Sequence, residues 1–185
     1  KTRKERITLS KKVHPMLLTR GVPGTHDINM MLDFFKRVKG KKFRSLKLPK
    51  FNKAIDERYN KKLWYSVKKR PDVIIFEGWC VGAKPEKNNT LKKSVNSLEK
   101  LKDTKLTWRR YVNEQLKTKY KQLYDQLNCL LYIKSSNFTL LKKWRIKQET
   151  KLRIKNKKSN KFKIMSDQEV INFMQTYQRV TQSMF

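Results

Sequence analysis

The 185-residue sequence is poor in cysteine, in acidic residues and in long apolar runs, and each shortage excludes a class of protein. Two cysteines, Cys80 and Cys129, are too few for a disulfide framework and fit a reducing, cytoplasmic environment. They lack the paired spacing of a zinc site, so a structural metal is not expected. No apolar run approaches the ~20 residues that span a bilayer, which predicts a soluble protein without a membrane partner.

Charge is the strongest compositional signal, with 47 Lys and Arg residues against 15 Asp and Glu and a formal net charge of +32. This sign suits a nucleic-acid binder, because phosphate groups must be neutralised. Lysine outnumbers arginine, however, and arginine is the usual reader of bases and bidentate ligand of phosphates. The basic residues are also spread along the whole chain. We therefore expect nonspecific polyanion binding, weakened by salt, and no dedicated nucleic-acid site.

Amphipathic helices and short apolar segments alternate along the chain. Apolar residues at helical spacing predict helices over 28–38, 91–101, 108–127 and 138–152, and a capping box at 166–169 predicts the start of a last helix. Alternation over 43–51 predicts a short strand closed by Pro49, residues 53–64 predict a loop, and 155–163 predict a basic loop. Two continuous apolar segments, 73–76 and 129–133, predict buried strands. This alternation is typical of an α/β fold with a parallel sheet.

Glu77 ends the apolar segment 73–76 and is followed by Gly78 and Trp79. In an open parallel sheet, ligands bind beyond the carboxyl ends of the strands. A carboxylate at that point is typical of a Walker B position, which holds Mg²⁺ beside nucleotide phosphates. A strand that simply leaves the core at Glu77 would give the same pattern, and the segment alone favours neither interpretation.

Five motifs, taken together and in chain order, resemble the D-glycerate 3-kinase family, a branch of the P-loop kinases related to uridine kinase and phosphoribulokinase. Its Walker B segment is similar to DVIIFEGWCVGAKP, and its substrate-side loop is similar to VHPMLLTRGVPGTHD. A third segment resembles LPKFNKAIDER. Its lid resembles KWRIKQETKLR, and the helix that follows resembles MSDQEVINFMQTYQRVTQSM. The resemblance implies an α/β fold with a P-loop NTPase-like parallel sheet flanked by helices.

The chain departs from the family pattern at two points. The Gly-rich phosphate loop is absent, since none of the five glycines stands next to a Lys-Ser/Thr pair. We therefore expect an incomplete sheet without the phosphate-loop strand, in an internal slice of a single kinase-like domain. Within it, 1–60 form the substrate-side region, 61–136 the Walker B strand, helices and next strand, and 137–185 the lid and last helix. Asn52 stands where the family has Asp.

The resemblance also implies roles for individual residues. Glu77 is the expected Mg²⁺ ligand and, with Arg145, the expected catalytic group. Lys151 and Arg153 are expected to bind the ATP phosphates as lid cations, although a solvated helix face gives the same pattern. The expected contacts of the acceptor substrate are Arg20, His26, Asp27, Lys50, Asn52, Lys53 and Trp79.

Two functions from different classes follow from these residues. The first is an ATP-dependent small-molecule kinase that transfers the γ-phosphate to D-glycerate or a similar hydroxy compound, with ATP and Mg²⁺ as cofactors. Without a phosphate loop, this chain is not expected to be active alone. The alternative is a non-catalytic binding protein on a kinase-like fold, which could bind nucleic acid through its basic surface.

Overall fold

The computed structural model describes residues 1–53, 55–155 and 164–185, and helices dominate this part of the chain. A 3₁₀ turn, Pro15–Leu18, follows the first helix, and a π-helical turn, Leu116–Tyr120, joins α5 to α6. The basic loop was predicted over 155–163. Apart from Lys155, it lies outside the described residues. The α-helices are α1 (Arg3–Lys12), α2 (Ile28–Lys39), α3 (Asn88–Lys92), α4 (Ser97–Lys102), α5 (Thr107–Gln115), α6 (Lys121–Tyr124), α7 (Phe138–Lys155) and α8 (Asp167–Ser183).

Side-chain caps fix where several of these helices begin, as the sequence predicted. Asp27 accepts a hydrogen bond from the Met30 N–H and starts α2, and Asn137 does the same for α7 through the Leu140 N–H. Ser166 and Glu169 form the predicted capping box at α8. The helix predicted over 91–101 is instead two short helices. Asn96 interrupts it, because its side chain caps α4 from an extended backbone.

The strands form two small antiparallel sheets. Strand β1 (Leu46–Leu48) pairs with β4 (Tyr65–Val67), and β2 (Phe51–Asn52) pairs with β3 (Glu57–Arg58). The short strand predicted before Pro49 is therefore confirmed. The loop predicted over 53–64 is wrong in part, since it contains β3.

The buried strands predicted at 73–76 and 129–133 are not formed in the described part of the chain. Both segments lack regular secondary structure and have no hydrogen-bonded strand neighbour. Several of their apolar side chains face solvent, with Ile75, Leu131 and Ile133 exposed by 88%, 86% and 88%, whereas Phe76 is partly buried against the core. An apolar sequence favours extended backbone, but a strand also needs a neighbour for its N–H and C=O groups. The predicted parallel sheet is thus absent from the described residues.

Helix α5, the π-helical turn and α6 run on without a break, and we call them together the α5–α6 helix. The hydrophobic core lies between α2, the α5–α6 helix and the turn that follows Trp79. Trp108, Val112 and Leu116 line one face of the α5–α6 helix at helical spacing, which confirms the amphipathic pattern predicted there. Ile28 and Phe35 contribute the facing side of α2. The other members of this cluster are Leu17, Val22, Cys80, Ala83, Tyr120, Leu123 and Val180.

Both cysteines are free thiols, with Cys80 buried and Cys129 exposed. This agrees with the prediction that the chain has no disulfide framework. Across the described residues, no helix combines the length and apolarity needed to cross a bilayer.

A buried network of ion pairs fastens α8 to α4 and α5. The Arg179 guanidinium donates to both carboxylate oxygens of Glu99, at 2.8 and 2.7 Å, and pairs with Glu86 at 3.1 Å. Arg109 pairs with Asp103 at 2.9 Å and lies 3.6 Å from Glu99. The side chains of Glu99 and Asp103 are fully buried. Because the two arginines share the Glu99 carboxylate, three helices are joined at one point.

We predict that Glu99→Gln destabilises the fold by about 3–5 kcal/mol, because two buried guanidinium groups lose a shared counter-charge. The matched control is Asp125→Asn, which removes an exposed pair with Lys121 at 2.7 Å. The stability lost in Asp125→Asn should stay below about 1 kcal/mol. Chemical denaturation of both variants checks the difference, and equal losses would contradict a dominant role for the buried network.

Candidate functional site

The loop 19–27 is a buried, shaped segment. Its residues Val22 and Thr25 are 1% and 0% exposed, although the loop joins two helical elements. Thr25 closes the loop on itself, because its hydroxyl accepts from the Gly21 N–H at 2.9 Å and donates to the Val22 carbonyl at 2.7 Å. Gly21 and Gly24 have φ values of +127° and +98°, which other residues rarely adopt. This loop forms the second half of VHPMLLTRGVPGTHD, the segment that resembles the family's substrate-side loop.

Aromatic side chains from distant elements hold the backbone of this loop. The Trp79 indole donates to the Gly21 carbonyl at 2.9 Å. The Tyr177 hydroxyl, on α8, donates to the Arg20 carbonyl at 2.8 Å. The Tyr120 hydroxyl accepts from the Gly24 N–H at 3.0 Å. Trp79 and Tyr177 also meet edge to face, with ring centroids 4.7 Å apart. The loop backbone therefore cannot move without breaking contacts to several elements.

Arg20 is fixed at one end of the loop and keeps part of its guanidinium free. Its Nη1 pairs with an Asp56 oxygen at 2.9 Å, and its plane lies 4.4 Å from the centre of the Phe51 ring. Asp56 is held in turn by the buried Arg6. The Arg20 side chain remains one-third exposed, and its other nitrogens have no polar partner among the described residues. Such a held guanidinium can accept a carboxylate.

His26 stands at the other end of the same loop in a largely buried position. Its Nδ1 is 2.6 Å from the Tyr120 hydroxyl. Burial lowers the pKa of His26 from 6.5 to about 4, and the nearby positive charge of Arg20 acts in the same direction. The imidazole is therefore neutral at pH 7.

Two of the predicted substrate contacts, Asp27 and Lys50, also contact other side chains of the protein, and their roles in substrate binding stay predictions. Asp27 caps α2 and pairs with Arg58 at 3.3 Å, so its carboxylate is engaged. The Lys50 ammonium lies over the Tyr59 ring, 5.1 Å from its centre, and 5.3 Å from the Tyr65 ring centre.

Two further predicted substrate contacts, Asn52 and Lys53, lie in the β2–β3 hairpin. Asn52 lies in β2 in register with Glu57. Lys53 is exposed in the turn that follows. Their predicted roles in substrate binding stay predictions.

An aromatic cavity of about 650 Å³ opens beside Trp79 and Tyr177. Arg145 on α7 lines it and also pairs with the buried Glu149 and with Gln148, at 2.6 Å from the latter. Burial raises the pKa of Tyr177 to about 12, and the charges of Arg20 and Arg145 oppose that rise. Arg145 and Tyr177 line the same cavity, and the Tyr177 hydroxyl contacts the Arg20 carbonyl. The remaining lining residues are Tyr132, Ile133, Ser135, Leu141, Trp144, Gln148, Phe173, Met174, Thr181 and Phe185.

The two predicted phosphate cations lie at the end of α7. Arg153 donates to Asp167 at 2.5 Å and to the Met165 carbonyl at 2.8 Å, so it ties α7 to the start of α8. Lys151 is exposed and has no charged partner in the described ranges. A contact of either residue with ATP stays a prediction.

Glu77 is exposed and has no hydrogen-bond or ion-pair partner in the part of the chain that the structure describes. No group of three or more His, Cys, Asp or Glu residues able to hold a metal occurs there either. A single free carboxylate still suits Mg²⁺, which often binds one or two carboxylates and completes its shell with water and substrate phosphates. The donor set is compatible with the predicted metal role of Glu77.

The fold gathers part of the predicted site around one residue that the sequence did not single out. Trp79, Arg145 and Tyr177 line one cavity, the Tyr177 hydroxyl contacts the Arg20 carbonyl, and His26 lies in the same loop as Arg20. Asp56 and Tyr177 lie in two of the family-like segments and Tyr120 in none, but no local pattern gave any of the three a role. Their partners in the loop are 36, 157 and 94 residues away.

We expect Gly21→Ala to destabilise the fold by about 1–3 kcal/mol, because the new side chain needs an unfavourable backbone conformation. Its Cβ would also collide with the Tyr177 hydroxyl. Gly40→Ala is the control, since Gly40 has φ −63° and its nearest neighbour would lie at 3.4 Å. Denaturant unfolding of both variants is the measurement. A Gly40→Ala loss as large as that of Gly21→Ala would contradict this account.

The low pKa of His26 predicts a pH dependence of stability. The unfolded chain takes up this proton near pH 6.5 and the folded protein only near pH 4, so stability falls as the pH is lowered between these values. We expect His26→Gln to flatten that slope. Unfolding free energies at several pH values between 7 and 5 test this, and an unchanged slope would disprove the assignment.

Comparison with known proteins places these motifs in context, although no family model matches the chain. It is 28% identical, over 95% of its length, to a Schizosaccharomyces pombe protein named uncharacterized kinase mug58. It is 26% identical, over 88% of its length, to the chloroplastic D-glycerate 3-kinase of Arabidopsis thaliana. The chain spans 63% and 33% of the lengths of these two proteins.

Solved structures extend the similarity to the fold. The D-glycerate 3-kinase of Cryptococcus neoformans superposes with a TM-score of 0.76 and 25% identity, over 100% of this chain and 65% of that one. The YGR205w protein gives a TM-score of 0.69 over 96% of this chain and 61% of its own, and at 24% identity it supports the fold alone. The match to the Cryptococcus neoformans structure supports the α/β class. The similarity to D-glycerate 3-kinases that the motifs predicted is therefore confirmed over nearly the whole chain.

Proposed function

We propose that the intact protein is an ATP-dependent kinase that phosphorylates a small hydroxy acid, with D-glycerate as the first candidate. The observation that carries this proposal is the match over the full chain to a structure named D-glycerate 3-kinase. The loop that resembles the family's substrate-side segment is held by hydrogen bonds from Trp79 and Tyr177, which line the cavity. A cytoplasmic location, inferred from the two free thiols, belongs to the same proposal.

The acceptor would bind through its carboxylate at Arg20. Asp56 and Phe51 hold the guanidinium from one side, which leaves the remaining N–H groups for an external oxygen pair. Arginine forms bidentate pairs with planar carboxylates, and a held arginine loses less side-chain entropy on binding. Trp79 walls the same region and keeps the loop carbonyl of Gly21 in place.

The proposed ATP-binding residues are Glu77 and three basic residues of the lid-like segment KWRIKQETKLR on α7. Mg²⁺ would neutralise charge on the transferred phosphoryl group, and Glu77 would hold it through its free carboxylate. Arg145 lines the cavity from α7 and is oriented by Glu149, so it can face a bound phosphate. Lys151 and Arg153 would add positive charge at the end of the same helix. A P-loop and its parallel strand are part of this proposal for the intact protein.

The alternative, a non-catalytic binding protein, is less well supported. The similar proteins whose names describe an activity are all named as kinases. The dispersed positive charge predicts only nonspecific attraction to polyanions.

We expect the intact protein to release ADP from ATP in the presence of D-glycerate, and Glu77→Gln to lower kcat by at least about 100-fold, because a carboxamide holds Mg²⁺ poorly. The matched control is Glu114→Gln, which neutralises an exposed glutamate on α5. A coupled ADP-release assay with a panel of hydroxy acids, sugars and nucleosides is the measurement. Activity on another acceptor alone would refute glycerate, and activity on none would refute the kinase.

A further inference from the structure

A chain of hydrogen bonds links the loop backbone to His26 through Tyr120. The Gly24 N–H can only donate, and it donates to the Tyr120 hydroxyl oxygen at 3.0 Å. The same oxygen lies 2.6 Å from the Nδ1 atom of His26. Tyr120 is 1% exposed, and the backbone N–H of His26 is a further hydrogen-bond donor to its hydroxyl oxygen.

This arrangement determines which imidazole nitrogen carries the proton. Burial raises the pKa of Tyr120, so its hydroxyl keeps its hydrogen. That hydrogen needs an acceptor, because an unpaired buried hydroxyl is costly. The His26 Nδ1 is the acceptor within reach, and it must therefore be unprotonated. A neutral imidazole with a bare Nδ1 carries its proton on Nε2.

The Nε2–H group of His26 is a donor without a polar partner in the described part of the chain. Arg20, whose charge acts on the imidazole, lies in the same loop with unpaired N–H groups of its own. Two donors of this kind in one loop suit an oxygen-rich anion. A nitrogen that already carries a proton cannot take up the proton of a hydroxyl group.

We propose that His26 donates a hydrogen bond from Nε2 to the carboxylic acid substrate and does not act as a general base, and that Tyr120 is the positioning residue that fixes this donor. The inference rests on the proposed function, because it assumes that the loop faces a small hydroxy acid. It assigns Tyr120, which no motif marks, a role in substrate recognition. It also separates substrate binding, at His26 and Arg20, from proton removal, which falls to another group.

Substitutions at His26 distinguish a donor from a base. Glutamine can place an N–H near the Nε2 position but cannot carry a proton from substrate to solvent, whereas alanine does neither. In the intact protein, we expect His26→Ala to raise the KM for D-glycerate about 10- to 100-fold with kcat little changed, as for one hydrogen bond to a charged group. His26→Gln should recover most of this loss. If His26→Gln and His26→Ala lowered kcat equally, the donor role would be wrong.

Tyr120→Phe removes only the hydroxyl that fixes the tautomer. We expect ¹⁵N NMR of the wild-type protein to show Nδ1 unprotonated and Nε2 protonated at pH 7, and the variant to populate both tautomers. Its His26 titration midpoint should also move upward. A protonated Nδ1 in the wild-type protein, or an unchanged tautomer in the variant, would overturn the role of Tyr120.

The NMR signal also separates this inference from the proposed function. Adding D-glycerate should shift the His26 Nε2–H resonance, with a smaller shift for an added alcohol that lacks the carboxylate. If that shift occurs but ADP release fails with every acceptor, the kinase proposal fails while the donor assignment stands. If glycerate is phosphorylated without any shift of this resonance, the donor assignment fails and the kinase proposal stands.

Discussion

The buried ion pairs around Glu99 are the constraint on which the rest of the structure depends. Arg179 and Arg109 reach the same carboxylate from α8 and α5, so the last helix is fixed to the centre of the chain. Tyr177 lies two residues before Arg179 and so faces the other way, toward the loop that contains Arg20. A weakened network at Glu99 would therefore loosen the candidate site, although no residue of the network touches it.

The candidate site is built on a rigid loop that other elements hold from outside. Trp79, Tyr120 and Tyr177 each bind one backbone group of this loop, and the absence of a side chain at Gly21 leaves room for the Tyr177 ring. Under the proposed function, Arg20 and His26 are oriented before the acceptor binds, which lowers the entropy cost of forming their contacts. The same hydrogen bonds that stabilise the loop also decide the protonation of His26 and leave its Nε2–H as a donor.

The exposed apolar segments show that a local apolar pattern is not enough to predict a buried strand. Residues 73–76 and 129–133 have the composition of buried strands, yet they have no strand partner among the described residues and most of their side chains are exposed. Composition determines that such segments are extended, whereas a strand also requires a neighbour that supplies hydrogen bonds. Glu77 follows the first of these segments, and the proposed Mg²⁺ role of Glu77 requires such a neighbouring strand.

The sequence by itself determined the features that depend on neighbouring residues. The caps at Asp27, Asn137 and Ser166, the amphipathic face of the α5–α6 helix and the glycine-shaped loop follow from interactions within a few residues. Tertiary structure alone decided which side chains meet that loop. Tyr177 and Arg20 are 157 residues apart, and no periodicity or motif encodes their contact. It arises because buried charges and a shared core bring separate helices together, and those forces act on the folded chain as a whole.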